Sequence, residues 1–382
     1  MSASQWRKAM NLSSPSRSWT GARIAPPPTP SSTPRESEAI QLREPGWALR
    51  ALSAIRLRHL AALAALLAFP WFAPPFFVLQ IGAQSLVLGL IALSLMFLAG
   101  YGGMVSLAQM TIAGIAGYAV AILGPSSVSE ISLGWPAWLA ALLAIPISVF
   151  FAVLIGWLSV RTEGIYTIMI TLAVGVAFFY LAQQNYALFN GFQGFQKVAP
   201  PPLFGLNWRD PALFYHLALF CALAGYFFTK YLARAPFGIA LQGTRDNARR
   251  MRALGFNVTA HRIAAYAVAG AIAAIGGVLL VWYNSLITPG SVGMSWMINI
   301  LIIAVLGGMR HPIGPFVGAV VFVLLQNFAI DLIDRERFNL VIGLVFLAIV
   351  LFSQDGLLGW WSQLVRRARI GGKPATTPTN RR

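Results

Sequence analysis

Acidic side chains, histidine and cysteine are all scarce, with 11 Asp and Glu, 4 His and 1 Cys in 382 residues. The single cysteine, Cys221, excludes an internal disulfide, and no CxxC or His/Cys spacing suited to a metal occurs. No acidic residue stands well inside a long apolar run, so the intramembrane carboxylate that ion-coupled carriers and pumps keep is missing. Glu163 sits beside Arg161 at the edge of a run, Asp331, Asp334 and Glu336 fall in a turn, and His216 alone is near a run. A lone His there reads more readily as a structural hydrogen-bonding residue than as a proton relay. A phosphate-cradling loop, paired catalytic carboxylates and a Ser/His/Asp set in suitable context are also lacking. The chain is therefore not expected to be an enzyme or to hold a cofactor. Any energy it uses comes from another chain, or its activity is passive.

Apolar residues are abundant. They make up 57% of the sequence and charged residues only 10%, against roughly 25% charged in an average soluble domain. Apolar runs recur at 57–73, 76–99, 104–123, 136–160, 164–184, 212–232, 262–284, 296–309, 313–330 and 338–353. Several approach the ~20 residues a helix needs to span a bilayer. The expected fold is an all-α polytopic membrane protein of about ten spans, some short or broken. The net charge of +17 does not point to nucleic acid, because the basic residues lie between the runs and at the ends, not on a folded polar face.

The most charged interior stretch is Ala233 to His261, with Arg234, Arg245, Arg249, Arg250 and Arg252 against Asp246. Each such charge at mid-bilayer costs roughly 2.5–3.5 kcal/mol, so this stretch is a loop. Its basic excess places it in the cytoplasm. Thr244 to Leu254, rich in Ala, Leu, Met and Arg, predicts a short helix that Gly255 ends. An ordinary basic loop and a docking element are both compatible with this composition, and the helix with its own stop favours docking. Ten spans place both termini on the loop's side. Of 28 basic residues only Lys197, Arg209, Arg335 and Arg337 then fall outside. Residues 1–54 read as a disordered, basic, Pro/Ser-rich cytoplasmic tail without a signal-peptide pattern, 55–355 as the transmembrane domain, and 356–382 as a basic cytoplasmic tail. Trp360 and Trp361 before that tail suit an interface, and basic tails of this kind can also contact anionic lipid.

Two spans carry helix-breaking residues. Gly100, Gly102 and Gly103 precede Ser106 and Gln109, while Gly307, Gly308, Pro312, Gly314 and Pro315 interrupt the run near 310. Broken backbone at membrane depth is tolerated where protein or a water-filled cavity covers it, which makes such segments candidates for a solute path. Interfacial turns or close helix contacts through small residues are the alternative, favoured for the second break because Arg310 and His311 belong near the surface.

The run GYGGMVSLAQMTIAGIAGYAVAIL (Gly100–Leu123) resembles the start of the permease subunits of branched-chain amino acid ABC transporters. RTEGIYTIMITLA (Arg161–Ala173), APFGIALQGTRDNARRMRALGFNV (Ala235–Val258) and AVLGGMRHPIGPFVGA (Ala304–Ala319) follow in the family's order. The similarity is to the permease with the longer N-terminal part. It implies an importer in the bacterial inner membrane: a heterodimer with a second permease, two ABC ATPase subunits that bind ATP and Mg, and a periplasmic binding protein that delivers the solute. It also implies that Arg245, Asp246, Asn247, Leu254 and Gly255 belong to a coupling helix docked on an ATPase. Departures from the family pattern at Ala248, Arg249, Arg250, Val176, Arg310 and Phe189–Gly194 bear on the solute more than on the architecture. A branched-chain or related amino acid is the first expectation and urea or a short amide the second.

Ser106, Gln109, Thr171 and Asn299 are candidates for polar groups along a mostly apolar path, because a transient path needs contacts weak enough to release solute. Interhelical hydrogen bonding is an equally good account of any one of them. A passive channel, and an enzyme acting on lipid-linked substrates through Asp331, Asp334 and Glu336, are the rival classes.

Overall fold

The computed structural model describes residues 57–162, 164–202 and 208–332, together with 343, 344, 347, 356, 357 and 359. The chain divides after residue 60, and apart from residues 57–60, which open the first helix, all that follows concerns 61–382. Most of the tenth apolar run and of the C-terminal tail, together with Glu163, Asp334, Glu336, Trp360, Trp361 and the N-terminal tail, lie outside the described residues. The other nine runs correspond to helices: α1 Leu57–Phe72, α2 Phe77–Tyr101, α3 Gln109–Leu123, α4 Ala137–Ser159, α5 Ile165–Gln184, α6 Pro211–Arg234, α9 Val258–Asn284, α10 Met294–Gly307 and α11 Gly314–Leu332. Between α6 and α9 lie two short helices, α7 Pro236–Asp246 and α8 Ala248–Ala253. Asp331 stands in the last turn of α11, not in the turn that the sequence suggests.

Five described helices are long and apolar enough to cross a membrane. Large apolar side chains face outward along them, including Phe150 on α4 at 65% exposure and Phe220 on α6 at 70%. Such residues suit lipid and not water, as expected of a multi-pass membrane protein. The centre is α9, packed against α2, α3 and α4. Small residues allow this: at Gly277 a Cβ would overlap the Ala113 carbonyl of α3, so the two backbones are as close as helices come. α2 in turn packs on α10 and α11, burying Leu88, Ile91, Leu95 and Ile303 in a common core. α5 is peripheral. Its buried residues are Thr167, Thr171, Gly175 and Ala182, a narrow stripe of small and hydroxyl side chains.

The connections sort into two ends. Residues around 100–103, 160, 232–245 and 308–312 meet at one end, where Arg245 bonds the Gly100 carbonyl and Leu241 packs in one cluster with Val160. At the other end Ser127 and Gln196 exchange hydrogen bonds of 2.9 and 3.0 Å, and two short strands pair antiparallel, β1 Phe195–Gln196 and β2 Leu286–Ile287. Alternation of ends along the chain is what successive crossings require. The strand pairing joins two loops 90 residues apart and has no sequence signature in either.

α3 begins at Gln109, five residues later than its apolar run. Its 15 residues reach about 22 Å, short of a ~30 Å hydrocarbon core, and the non-helical stretch 103–108 supplies the rest. The second break is a tight turn. A Cβ at Gly307, Gly314 or Gly318 would overlap backbone across the turn, and Gly308 has φ +105°.

Candidate translocation and coupling site

Beyond the exposed Gly103 and half-buried Val105, the non-helical stretch 103–108 is covered by protein: Ser106 and Ala108 are fully buried, and Met104 and Leu107 nearly so. Its amides would be costly to leave unpaired at this depth. Thr171 of α5 answers part of that demand, its hydroxyl accepting from the Leu107 N–H at 3.1 Å while lying 3.0 Å from the Thr167 and Ile168 carbonyls. A further α5 contact follows one turn on, where the Gly175 backbone lies beside the Thr111 hydroxyl.

Around this break the structure gathers more polar groups than the sequence singles out. The Ser94 hydroxyl of α2 is 2.6 Å from the Ile91 carbonyl and 3.0 Å from the Gln109 carboxamide, whose far end has no protein partner. The hydroxyls of Ser106 and Thr111 are also buried and unpartnered. Tyr266 of α9 brings its hydroxyl towards both Ser106 and Ser159 of α4, though none of the three meets the geometry of a hydrogen bond. Ser106, Gln109 and Thr171 thus share one region with Ser94, Thr111, Ser159 and Tyr266. Asn299, on α10, is half-buried and has no hydrogen bond to this group. Thr111 follows the glycine break in sequence as Ser106 and Gln109 do, whereas serine and tyrosine inside apolar runs are individually unremarkable, which is why Ser94, Ser159 and Tyr266 leave no mark in the sequence. Each buried hydroxyl or amide left unpaired costs about 1–3 kcal/mol, so this region favours a polar partner.

The basic loop differs from the single helix predicted over Thr244–Leu254. Pro236, with φ suited to a first helical turn, starts α7 eight residues earlier, and the chain breaks at Asn247. Asn247 is extended (φ −156°), and its side chain accepts from the Arg250 N–H at 2.9 Å, capping α8. Gly255, at φ +89°, ends α8 through bonds from its own N–H to the Arg252 carbonyl and from the Phe256 N–H to the Met251 carbonyl. Asn247→Ala should cost about 1 kcal/mol of local stability and speed amide exchange at Arg249 and Arg250 roughly fivefold, read by hydrogen exchange in detergent. Unchanged exchange would mean that the cap contributes nothing.

α7 buries Ala240, Leu241 and Thr244 on the protein and exposes Arg245 and Asp246, which pair at 3.0 Å. A pair this exposed contributes little to stability. Arg245 does more: its guanidinium donates to the Gly100 carbonyl and its methylenes lie on Gly103. Leu241 also reaches the backbone of Gly102. Beyond α7 the surface is open, with Leu254 at 67% exposure and Phe256 at 41%, and a Cβ at Gly255 would meet nothing within 4 Å. Nearby, burial and then the Lys230 ammonium lower the pKa of His311 in the α10–α11 turn from its ordinary value. Among the described residues no group of His, Cys, Asp and Glu could hold a metal ion.

Apolar helices long enough to cross a bilayer, in a bundle clothed in apolar side chains and with polar groups buried at a helix break, define a multi-pass membrane protein. A family model described as "Branched-chain amino acid transport system / permease component" matches residues 77–350, and the chain belongs to that family. It is similar to the high-affinity branched-chain amino acid transport system permease protein LivM of Salmonella typhimurium, at 25% identity over 82% of this chain and 78% of the relative. The probable permease protein LivM of Methanocaldococcus jannaschii is 26% identical over 48% of this chain and 53% of its own length. The autoinducer 2 import system permease protein LsrC of Photorhabdus laumondii is 28% identical over 65% of this chain and 73% of its own. No solved structure matches.

Proposed function

We propose that this permease is the membrane-spanning subunit of an ATP-driven importer for branched-chain or related amino acids. In this reading it pairs with a second, different permease and two ATPase subunits in the bacterial inner membrane, with both termini cytoplasmic, and a periplasmic binding protein delivers the solute. ATP and Mg bind on the ATPase subunits. Residues 233–261 form the coupling loop, with Arg245, Asp246, Asn247, Leu254 and Gly255 as its ATPase-coupling residues.

One observation carries the reading. Arg245 joins the exposed loop to Gly100 and Gly103, and from Gly103 the non-helical stretch leads directly to Ser106 and Gln109. A push on α7 is therefore applied to the backbone that holds the unpaired polar groups. Because those groups lack partners in the closed bundle, a solute's polar atoms can take that place when the stretch shifts, and weak contacts let the solute leave. Leu254, Phe256 and the arginines of α8 offer an apolar centre with a charged rim, the composition of a protein interface.

The test is uptake of labelled leucine at equal expression with Ser106, Gln109, Thr171 and Asn299 each changed to Ala. Gln109→Ala is expected to lower uptake at least tenfold and Ser106→Ala severalfold. Thr171→Ala should also lower yield, since it strips the Leu107 N–H of its acceptor. Competition by urea, a short amide or autoinducer 2 in place of leucine would reassign the solute. Unchanged uptake in all four variants would remove the path assignment.

A further inference from the structure

At the end of the bundle that holds the basic loop, a cavity of about 230 Å³ opens between α6, α7 and the α10–α11 turn. Its described lining includes Tyr101, Lys230, Arg234, Gln242, Arg310 and His311. The Gln242 side chain donates to the Ala233 and Gly238 carbonyls at 2.9 and 3.1 Å, fixing the α6–α7 corner that forms one wall. A second cavity of about 390 Å³ shares Lys230 and Arg234 with the first and continues onto Phe227 and Tyr231.

The two cavities differ in chemistry along one helix face. Phe220, Phe227, Tyr231 and Arg234 fall at spacings of seven, four and three on α6, which places them in one stripe. Phe220, Phe227 and Tyr231 are exposed by 70%, 59% and 74% and are apolar or amphipathic, as lipid-facing residues are. The stripe then ends in Arg234, beside Lys230 and the cationic cavity. A free polar anion would have no use for the apolar half, and a peptide segment would not be expected to run down a lipid-facing span. A molecule with a phosphate at one end and hydrocarbon at the other fits both.

We infer that the Lys230–Arg234 cavity binds the headgroup of an anionic phospholipid, whose acyl chains lie along Phe227 and Phe220. The bound phosphate bridges the end of α6 to the α10–α11 turn and, through Gln242, to the basic loop. Lys230 and Arg234 stand one turn apart at the end of an apolar groove, a pair of positive charges that a phosphate complements, and basic pockets between spans are sites of this type. The headgroup therefore stiffens the corner on which the loop pivots, making the loop's position responsive to lipid composition.

The experiment uses the full-length chain in detergent and then in nanodiscs, with phosphatidylglycerol and phosphatidylcholine as probes and native mass spectrometry as the readout. Retention of phosphatidylglycerol over phosphatidylcholine is expected, with affinity falling roughly thirtyfold in Lys230→Gln/Arg234→Gln. Lys197→Gln, at the opposite end, should bind as the unaltered chain does. If the double variant fails to fold, Lys230→Gln alone is expected to lose about fivefold. Equal binding of the two lipids, or undiminished binding in a folded variant, overturns the inference. Displacement of the lipid by inorganic phosphate at low millimolar concentration would assign the cavity to a free anion, and loss of co-purifying protein chains with lipid retained would assign it to a protein contact. Either result also overturns it. Because the readout is lipid bound to this chain, its failure leaves the transport reading untouched.

Discussion

Arg245→Ala is expected to leave ATPase subunits bound to the chain while abolishing ATP-dependent uptake, a loss of at least a hundredfold at equal expression. The two halves of this result come from two sides of the same residue. Its side chain turns inward, onto the Gly100 carbonyl and the Gly103 backbone, while the surface offered to a partner runs on through Asp246, α8, Leu254 and Gly255. Removing the inward contact breaks the link and leaves the docking surface standing. Gly255→Val should do the reverse. A β-branched residue cannot adopt φ +89° without strain, so the stop of α8 is lost and Leu254 and Phe256 are displaced. Since nothing lies near Gly255, the damage stays in the loop and the bundle should still fold. Its expected phenotype is loss of co-purifying ATPase subunits together with loss of uptake. Pull-down with mass spectrometry and uptake on the same preparations read both halves. Full uptake in Arg245→Ala would show that the contact to Gly100 transmits nothing, and full uptake in both variants would favour a passive channel.

Gly277→Val is expected to cost about 3 kcal/mol or more and to collapse the yield of folded protein in size-exclusion chromatography. The added side chain would meet the Ala113 backbone, not the tip of a flexible side chain, so α3 and α9 must separate along their whole contact. That separation would also pull Gln109 and Thr111 away from α2 and α5, so any folded remainder should be inactive. Gly290→Ala is the control, since the position is open and close only to the Thr288 hydroxyl, and a change within 0.5 kcal/mol is expected there. An unaltered thermal midpoint for Gly277→Val would mean that the helices do not approach so closely.

The sequence determined the class of protein. Long apolar runs with almost no acidic residues can only be membrane spans, because the cost of buried charge leaves the basic residues nowhere but the connections, and that rule is local and can be read residue by residue. The same logic isolated residues 233–261, and four ordered motifs identified the family. Helix breaks at Gly100–Gly103 and Gly307–Pro315 were legible too, since Gly and Pro act on the backbone where they stand. What tertiary structure alone decided is which small polar residues meet. Ser94, Ser159 and Tyr266 sit in apolar stretches where a hydroxyl facing a neighbouring helix looks the same in sequence as one facing its own backbone. They join Ser106, Gln109 and Thr171 only because α2, α3, α4, α5 and α9 converge there, while Asn299 remains apart. The break at Asn247 was hidden for the converse reason: the surrounding Ala, Leu, Met and Arg favour helix, and a single capping amide with an extended backbone outweighs them. The contact of Arg245 with Gly100 spans 145 residues, and nothing in the chemistry of either stretch names the other until α7 packs Leu241 beneath the bundle.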